Sequence, residues 1–357
     1  MMLARRRRSA AALSATVALA AAASGCGGSD LDKAGGSDEA KPRVLTLATH
    51  DDDYAYASFA AAVTRLSGGS LRIRVANNWR STGDRAEIEA ERGIVADVRS
   101  GTVPLGIVGV RVWDLLGVTS FQAIVAPFLI ESIDLQRRAL ESDFGRRALA
   151  SLSRGGVVGI ALMPGLLRRP LGITHALRGP RDYQRATIGI RSGAVAKATF
   201  AALGGAGRGF LTSDLAGIDG AEVDLLVVSS DALDTGGRPL TGNVVLWPKA
   251  QTIVMNRAAF DRLTAEEQAI LRRAGHAAFS AELKRDVHDE EYLASLLCGA
   301  GRLPVITATR TELAALRTAV RPVVRALERD PFTKAWIAHI RRLRATGPSR
   351  PDAVRCE

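Results

Sequence analysis

Few residues in this 357-residue chain stand at spacings that could do chemistry. His50-Asp51-Asp52-Asp53 offers an imidazole and carboxylates to a hard cation. The same residues could equally open a helix, where Asp suits the positive end of the dipole. His288-Asp289-Glu290-Glu291 falls within a long helical stretch and reads as a solvated face. The run from Gly204 to Gly209 is glycine-rich but lacks the spacing of a dinucleotide fingerprint, so it reads as a flexible loop. G-x-x-x-x-G-K-[ST], H-E-x-x-H and G-x-S-x-G do not occur, and the five His lie far apart. Catalytic residues, a metal set and a cofactor are therefore assigned to none of these positions.

The three Cys carry chemistry of another kind. Arg5 to Arg8 form a positive segment, followed by an apolar stretch from Ala10 to Ala23. That stretch is too short to span a bilayer and suits the core of a signal peptide. It ends in Ala23-Ser24-Gly25-Cys26, which resembles the lipobox of bacterial lipoproteins, with Ala23 where Leu is usual. The resemblance implies that the Cys26 thiol is acylated and becomes the new N-terminus. The four Arg also hint at twin-arginine export, but the aromatic and Leu that usually follow are missing, which favours the general route. The Gly-, Ser- and Asp-rich stretch after Cys26 has one Leu and no periodicity, so it reads as a flexible tether. The expected location is the outer face of the cytoplasmic membrane, in the periplasm or at the cell surface, held by a lipid anchor. In such an oxidising compartment the remaining pair, Cys298 and Cys356, is a disulfide candidate; the alternative is two free thiols.

Charge points away from nucleic acid. The net charge is +11, carried by 42 Arg and 6 Lys. Without the N-terminal Arg run the balance is 44 basic to 37 acidic residues, a net +7, and the bases are scattered among acids. No basic stripe interleaved with aromatics appears, as phosphate binding with base stacking would favour. Outside the N-terminus no apolar run approaches ~20 residues, which excludes a polytopic membrane protein.

The body alternates strands and helices. Strands are expected at 44–49, 71–76 and 104–110, with helices over 54–66 and 84–99 between them. That order implies a parallel sheet with right-handed crossovers. A second block has a helix over 135–152 and strands at 156–162, 186–191, 223–228 and 243–247, with a helix over 194–203. Gln251 to Asn256 looks like a return strand. Thr264-Ala265-Glu266-Glu267 fits a capping box that opens a long helix toward Leu297, and helices follow at about 311–328 and 331–344. The class is α/β: two blocks and a helical C-terminal region.

Three ordered stretches carry a resemblance. RSTGDRAEIEAERGIVADVRSGTVPLGIVGV and AIVAPFL lie within 78–128, GLLRRPLG and PRDYQRATIGIR within 165–191, and GIDGAE at 217–222. In this order they resemble the solute-binding proteins of tripartite ATP-independent periplasmic (TRAP) transporters, of the C4-dicarboxylate-binding type. That family shows "lGtldm", "PFLF", "fR", "peDlkGlkiR" and "vDGqE". The resemblance implies a two-lobed periplasmic-binding-protein-like fold with a hinge. Lobe I and the C-terminal helices would take 43–164 plus about 248–345, and lobe II 165–247. Residues 1–25 would be the signal peptide, 26–42 the tether and 346–357 a polar tail.

The resemblance further implies that Arg191 pairs with a ligand carboxylate and that Arg168, at the "fR" position, makes a second contact. Glu222 is either a ligand or hinge contact or a surface charge. Val223 stands where the family has Asn, and the span from Arg191 to Asp219 is shorter by several residues. The implied function is capture of a small organic acid between the lobes for delivery to TRAP-type permease subunits, without catalysis. The competing expectations are a cell-surface lipoprotein enzyme of the hydrolase kind and an orphan sensor using the same cleft.

Overall fold

Residues 41–50, 56–80, 87–191, 193–299, 301–347 and 351–356 are described in a computed structural model of the chain. Cys26, the tether and Asp51 to Asp53 lie outside them. Among the described residues no helix is long and apolar enough to cross a membrane.

The chain builds two sheets. The first comprises β1 (Arg43–Ala48), β2 (Leu71–Ala76), β3 (Leu105–Gly109), β4 (Val157–Met163) and β11 (Gln251–Asn256), in the order β2-β1-β3-β11-β4. β1 runs parallel to β2 and β3, and β11 returns antiparallel between β3 and β4. The second comprises β5 (Leu167–Gly172), β6 (Thr187–Ile190), β7 (Ala206–Gly209), β8 (Gly220–Val223), β9 (Leu240–Thr241) and β12 (Val305–Ile306), with β10 (Trp247–Pro248) paired to β5. The chain crosses from one sheet to the other at 164–166 and back at 249–250. The crossings touch, with the Lys249 N–H donating to the Leu166 carbonyl at 2.9 Å.

Helices cover the faces. α1 (Ala57–Leu66), α2 (Glu87–Ser100), α3 (Arg111–Leu115), α4 (Ile133–Glu141), α5 (Asp143–Ser151) and α8 (Arg257–Asp261) accompany the first sheet, and α6 (Ala194–Ala202) and α7 (Leu225–Ser230) the second. α10 (Arg310–Ala319), α11 (Arg321–Leu327) and α12 (Pro331–Thr346) close the C-terminal region. α9 (Ala265–Gly299) joins the sheets: Ile270, Leu271 and Ala274 pack with Leu47, Phe59 and Ile253 on the first, and Leu293 and Leu297 with Leu171 and Val223 on the second. Its start is the expected capping box: Thr264 Oγ1 accepts from the Glu267 N–H at 3.1 Å, and Glu267 accepts from the Thr264 N–H at 2.8 Å.

Several elements differ from expectation, each for a local reason. The apolar run 223–228 is mostly helix, because the Asp224 carboxylate accepts from the Val227 N–H at 3.0 Å and opens α7. The helix expected over 135–152 breaks at Ser142 into α4 and α5. The glycine-rich run 204–209 is partly strand, since β7 pairs with β6 along its whole length. The span 243–247 contributes only Trp247 to a strand. β12, inside the range expected for lobe I, adds to the second sheet through β9. The face expected to be solvated at 288–291 is not wholly so: Glu290 is buried and pairs with Arg169 at 2.8 Å.

The C-terminal tail is docked. Cys298 and Cys356 form a disulfide, with Cα atoms 5.2 Å apart. Between them Val354 is buried among Leu225, Leu240 and Leu297, and its N–H donates to the Gly242 carbonyl at 3.0 Å. The Asp352 carboxylate accepts from the Ile133 N–H at 2.8 Å. Cross-linking residues 58 apart contributes ~4 kcal/mol on the chain-entropy account. Reduction is therefore expected to lower the free energy of unfolding by up to about that amount in denaturant titration. Unreduced peptide mass spectrometry should show Cys298 linked to Cys356; two alkylatable thiols would reject the bridge.

Candidate functional site

Charged side chains converge where the two sheets face each other. Alternation along β5 sends neighbouring Arg residues to opposite faces. Arg169 turns toward α9 and the tail, where it pairs with Glu290 and donates to the Asp352 carbonyl at 2.7 Å. Arg168 turns toward the cleft. It is only 2% exposed, and neither of its Nη atoms has a hydrogen-bond partner. The two Arg residues of the "RR" pair are thus separated in role: one is structural and one faces the cleft.

Arg191 follows β6 and is largely buried. Its backbone N–H donates to Glu222 Oε1 at 2.7 Å, which joins the ends of β6 and β8. Its guanidinium lies over the Phe210 ring, 5.4 Å from the centroid, a cation–π distance. Gly189 makes this seat: a Cβ there would come within 2.8 Å of the Phe210 ring. Arg191 Nη1 also pairs with Glu87 Oε2 at 3.1 Å.

Glu87, in the first turn of α2, uses its other oxygen on Arg111 of α3. Arg111 pairs further with Glu91 at 3.3 Å, and its Nε donates to the Arg191 carbonyl at 2.7 Å. One residue therefore ties the first sheet's helices to the end of a second-sheet strand. Gly109 leaves room for it, since a Cβ would approach Arg111 and Glu91 within 3 Å. Nearby, Asp114 accepts from the Gln122 side chain, and the N–H groups at the start of α6 favour its charge while burial prevails and raises its pKa.

The electrostatics sort these acids into two kinds. Burial opposes charge on Glu87, but Arg111, Arg191 and His50 outweigh it and hold the carboxyl well below the usual range. Burial of Glu222 prevails over the attraction of Arg168, the Arg191 N–H, Arg111 and Arg191, so its pKa is raised. Arg168 and Glu222 line one cavity of about 20 Å³, with Val110, Arg111, Val195 and Trp247. That is room for about one water molecule.

Arg168, Arg191 and Glu222 are thus brought to one place, and neither Arg168 nor Glu222 is a surface charge. Sequence reasoning missed Glu87, Glu91, Arg111 and Phe210. The i,i+4 spacing of Glu87 and Glu91 in α2, with a single Arg just after β3, is the signal that could have found the ion pairs. His50 lies 3.5 Å from Glu87, and His50, Glu87 and Glu91 present ligand atoms close enough to hold a metal ion. Arg111 pairs with both carboxylates and Arg191 with Glu87, so a dication there would face two guanidiniums.

Comparison with known proteins agrees with the two-lobed fold. No curated protein sequence matches the chain. The fold is similar to that of a TRAP periplasmic solute-binding protein from Ochrobactrum anthropi, with TM-score 0.74 and 19% identity over 86% of this chain and 97% of that one. It is also similar to a sugar acid binding protein from Advenella mimigardefordensis solved with galactonate (TM-score 0.73, 19% identity, 85% and 99% covered). A TRAP periplasmic solute-binding protein from Shewanella oneidensis with bound succinate gives TM-score 0.71 at 17% identity, with 83% and 99% covered. Residues 48–330 match the family described as bacterial extracellular solute-binding protein, family 7, and the chain belongs to that family.

Proposed function

We propose that the chain captures a small organic acid in the cleft lined by Arg168 and presents it to the membrane permease of a TRAP-type transporter. One observation carries this reading: the buried Arg168 guanidinium has both Nη atoms without a partner. An unpaired buried charge is costly, and a ligand carboxylate relieves it with two parallel charge-assisted bonds. Arg191 is the second cationic wall, and Phe210 backs it. Glu222 lines the same cavity, and its burial raises its pKa against the attraction of Arg168. Similar folds have been solved with galactonate and with succinate, which supports an organic acid as the class.

The cavity is far smaller than a sugar acid, so entry requires the lobes to part. The lobes in this reading are 43–164 with about 248–345, and 165–247, with β12 carried by the second. They move about the adjoining crossings at 164–166 and 249–250. Ligand contacts to both lobes then shift the population toward the closed form. The sequence around Cys26 supports export and a lipid anchor that keeps this receptor at the membrane surface.

A thermal-shift screen of residues 41–357 against organic acids tests the reading. An acid at 100 times its dissociation constant should add about 2.7 kcal/mol of stability, and no shift with any acid would contradict it. Arg168→Ala should weaken binding of the responding acid at least ~30-fold by calorimetry, with Arg191→Ala also weakened; binding within threefold of wild type would remove Arg168 as the anchor.

Stability should respond differently. Arg111→Met leaves Glu87 and Glu91 without their shared cation and should cost about 3–5 kcal/mol in denaturant titration. Arg168→Met loses no hydrogen bond from its Nη atoms and should cost less than about 1 kcal/mol. Equal losses would place Arg168 among the structural ion pairs.

Cys26→Ala should move the protein from the membrane fraction to the soluble fraction. Unchanged sedimentation with membranes would reject the anchor.

A further inference from the structure

The guanidiniums of the cleft are not equivalent. Arg111 and Arg191 share one carboxylate, that of Glu87, with one oxygen facing each. This is how a carboxylate supplied by a ligand would bridge two cations. Arg111 has a second acid in Glu91, and Arg168 alone presents bare Nη donors to the cavity. The charges give the same result. Arg111 and Arg191 face Glu87 and Glu91, whereas Arg168 lies beside Glu222 with its Nη donors unused.

The position of Glu87 matters as much as its charge. Its side chain is 8% exposed, so solvent screens it little. A ligand carboxylate on Arg168 can take up the Nη donors that Glu222 leaves unused. A second ligand carboxylate reaching across toward Arg191 would meet Glu87 already seated there. Two like charges competing for the same guanidinium in a site shut off from water repel strongly, and such built-in repulsion is how binding sites reject near-miss ligands.

We propose that Glu87 is the specificity-determining residue of the cleft: its carboxylate fills the second anion position, so the site accepts acids with one carboxylate and rejects diacids of the same skeleton. This rests on the reading of the cleft as an acid-binding site and names the class of acid.

The test uses matched ligands. Wild type and Glu87→Gln are titrated calorimetrically with galactonate and galactarate, which differ by oxidation of the terminal carbon to a second carboxylate, and with monomethyl succinate and succinate. Gln keeps the size of Glu87 and removes its charge. Wild type should bind the monoacid of each pair at least tenfold more tightly than the diacid, and Glu87→Gln should reduce that ratio at least tenfold. Equal binding of mono- and diacid by wild type, or an unchanged ratio in a folded Glu87→Gln, overturns the proposal. If Glu87→Gln does not fold, the monomethyl succinate to succinate ratio in wild type decides, because the ester masks one charge on an otherwise equal chain. A folded wild type that binds none of the four overturns acid capture itself rather than the role of Glu87.

Discussion

The carboxylate of Glu87, shared between Arg111 and Arg191, is the contact around which the cleft is organised. Buried ions stabilise a fold only when each finds partners, because desolvation can exceed the attraction gained. Here the partners come from both sides. Glu87, Glu91 and Arg111 belong to helices of the first sheet, and Arg191 to the end of a second-sheet strand. Arg111 adds a bond to the Arg191 backbone. At the cleft the two halves thus meet through polar contacts that water or a ligand can replace, beside apolar ones such as Val195 in the core with Val110 and Ala250.

In the proposed opening of the cleft, other connections keep the halves registered. That role falls to the crossings at 164–166 and 249–250 and to α9, which contributes to the cores of both halves. The tail adds a third connection. Asp352 reaches α4, Arg169 binds the Asp352 carbonyl, and the disulfide fastens the end to the last turn of α9. Arg169 is therefore tied to α9 and the tail, while Arg168, its neighbour in sequence, faces the cavity beside Glu222.

Periodic apolar patterns made much of the frame legible. β11 falls on Gln251–Asn256 as expected, and α9 begins at its capping box. The misread elements are those in which a polar residue decides. Asp224 turns an apolar, β-branched run into helix by capping it. One face of α9 is acidic, with Glu282, Asp286 and Glu290 buried four residues apart; Glu282 meets Ser58 of α1 and Glu290 meets Arg169, although the run looks solvated in sequence. The site shows the same limit. Arg168, Arg191 and Glu222 stood out through an ordered set of motifs. Glu87 and Arg111 did not, because a residue satisfied by partners distant in sequence leaves no local pattern.

The account is tested most directly by a crystal structure of the wild-type protein grown with the acid that binds it most tightly. It predicts a ligand carboxylate within hydrogen-bond distance of both Arg168 Nη atoms, with Glu87 still seated between Arg111 and Arg191. A ligand carboxylate between Arg111 and Arg191, with Glu87 displaced and Arg168 untouched, would contradict it.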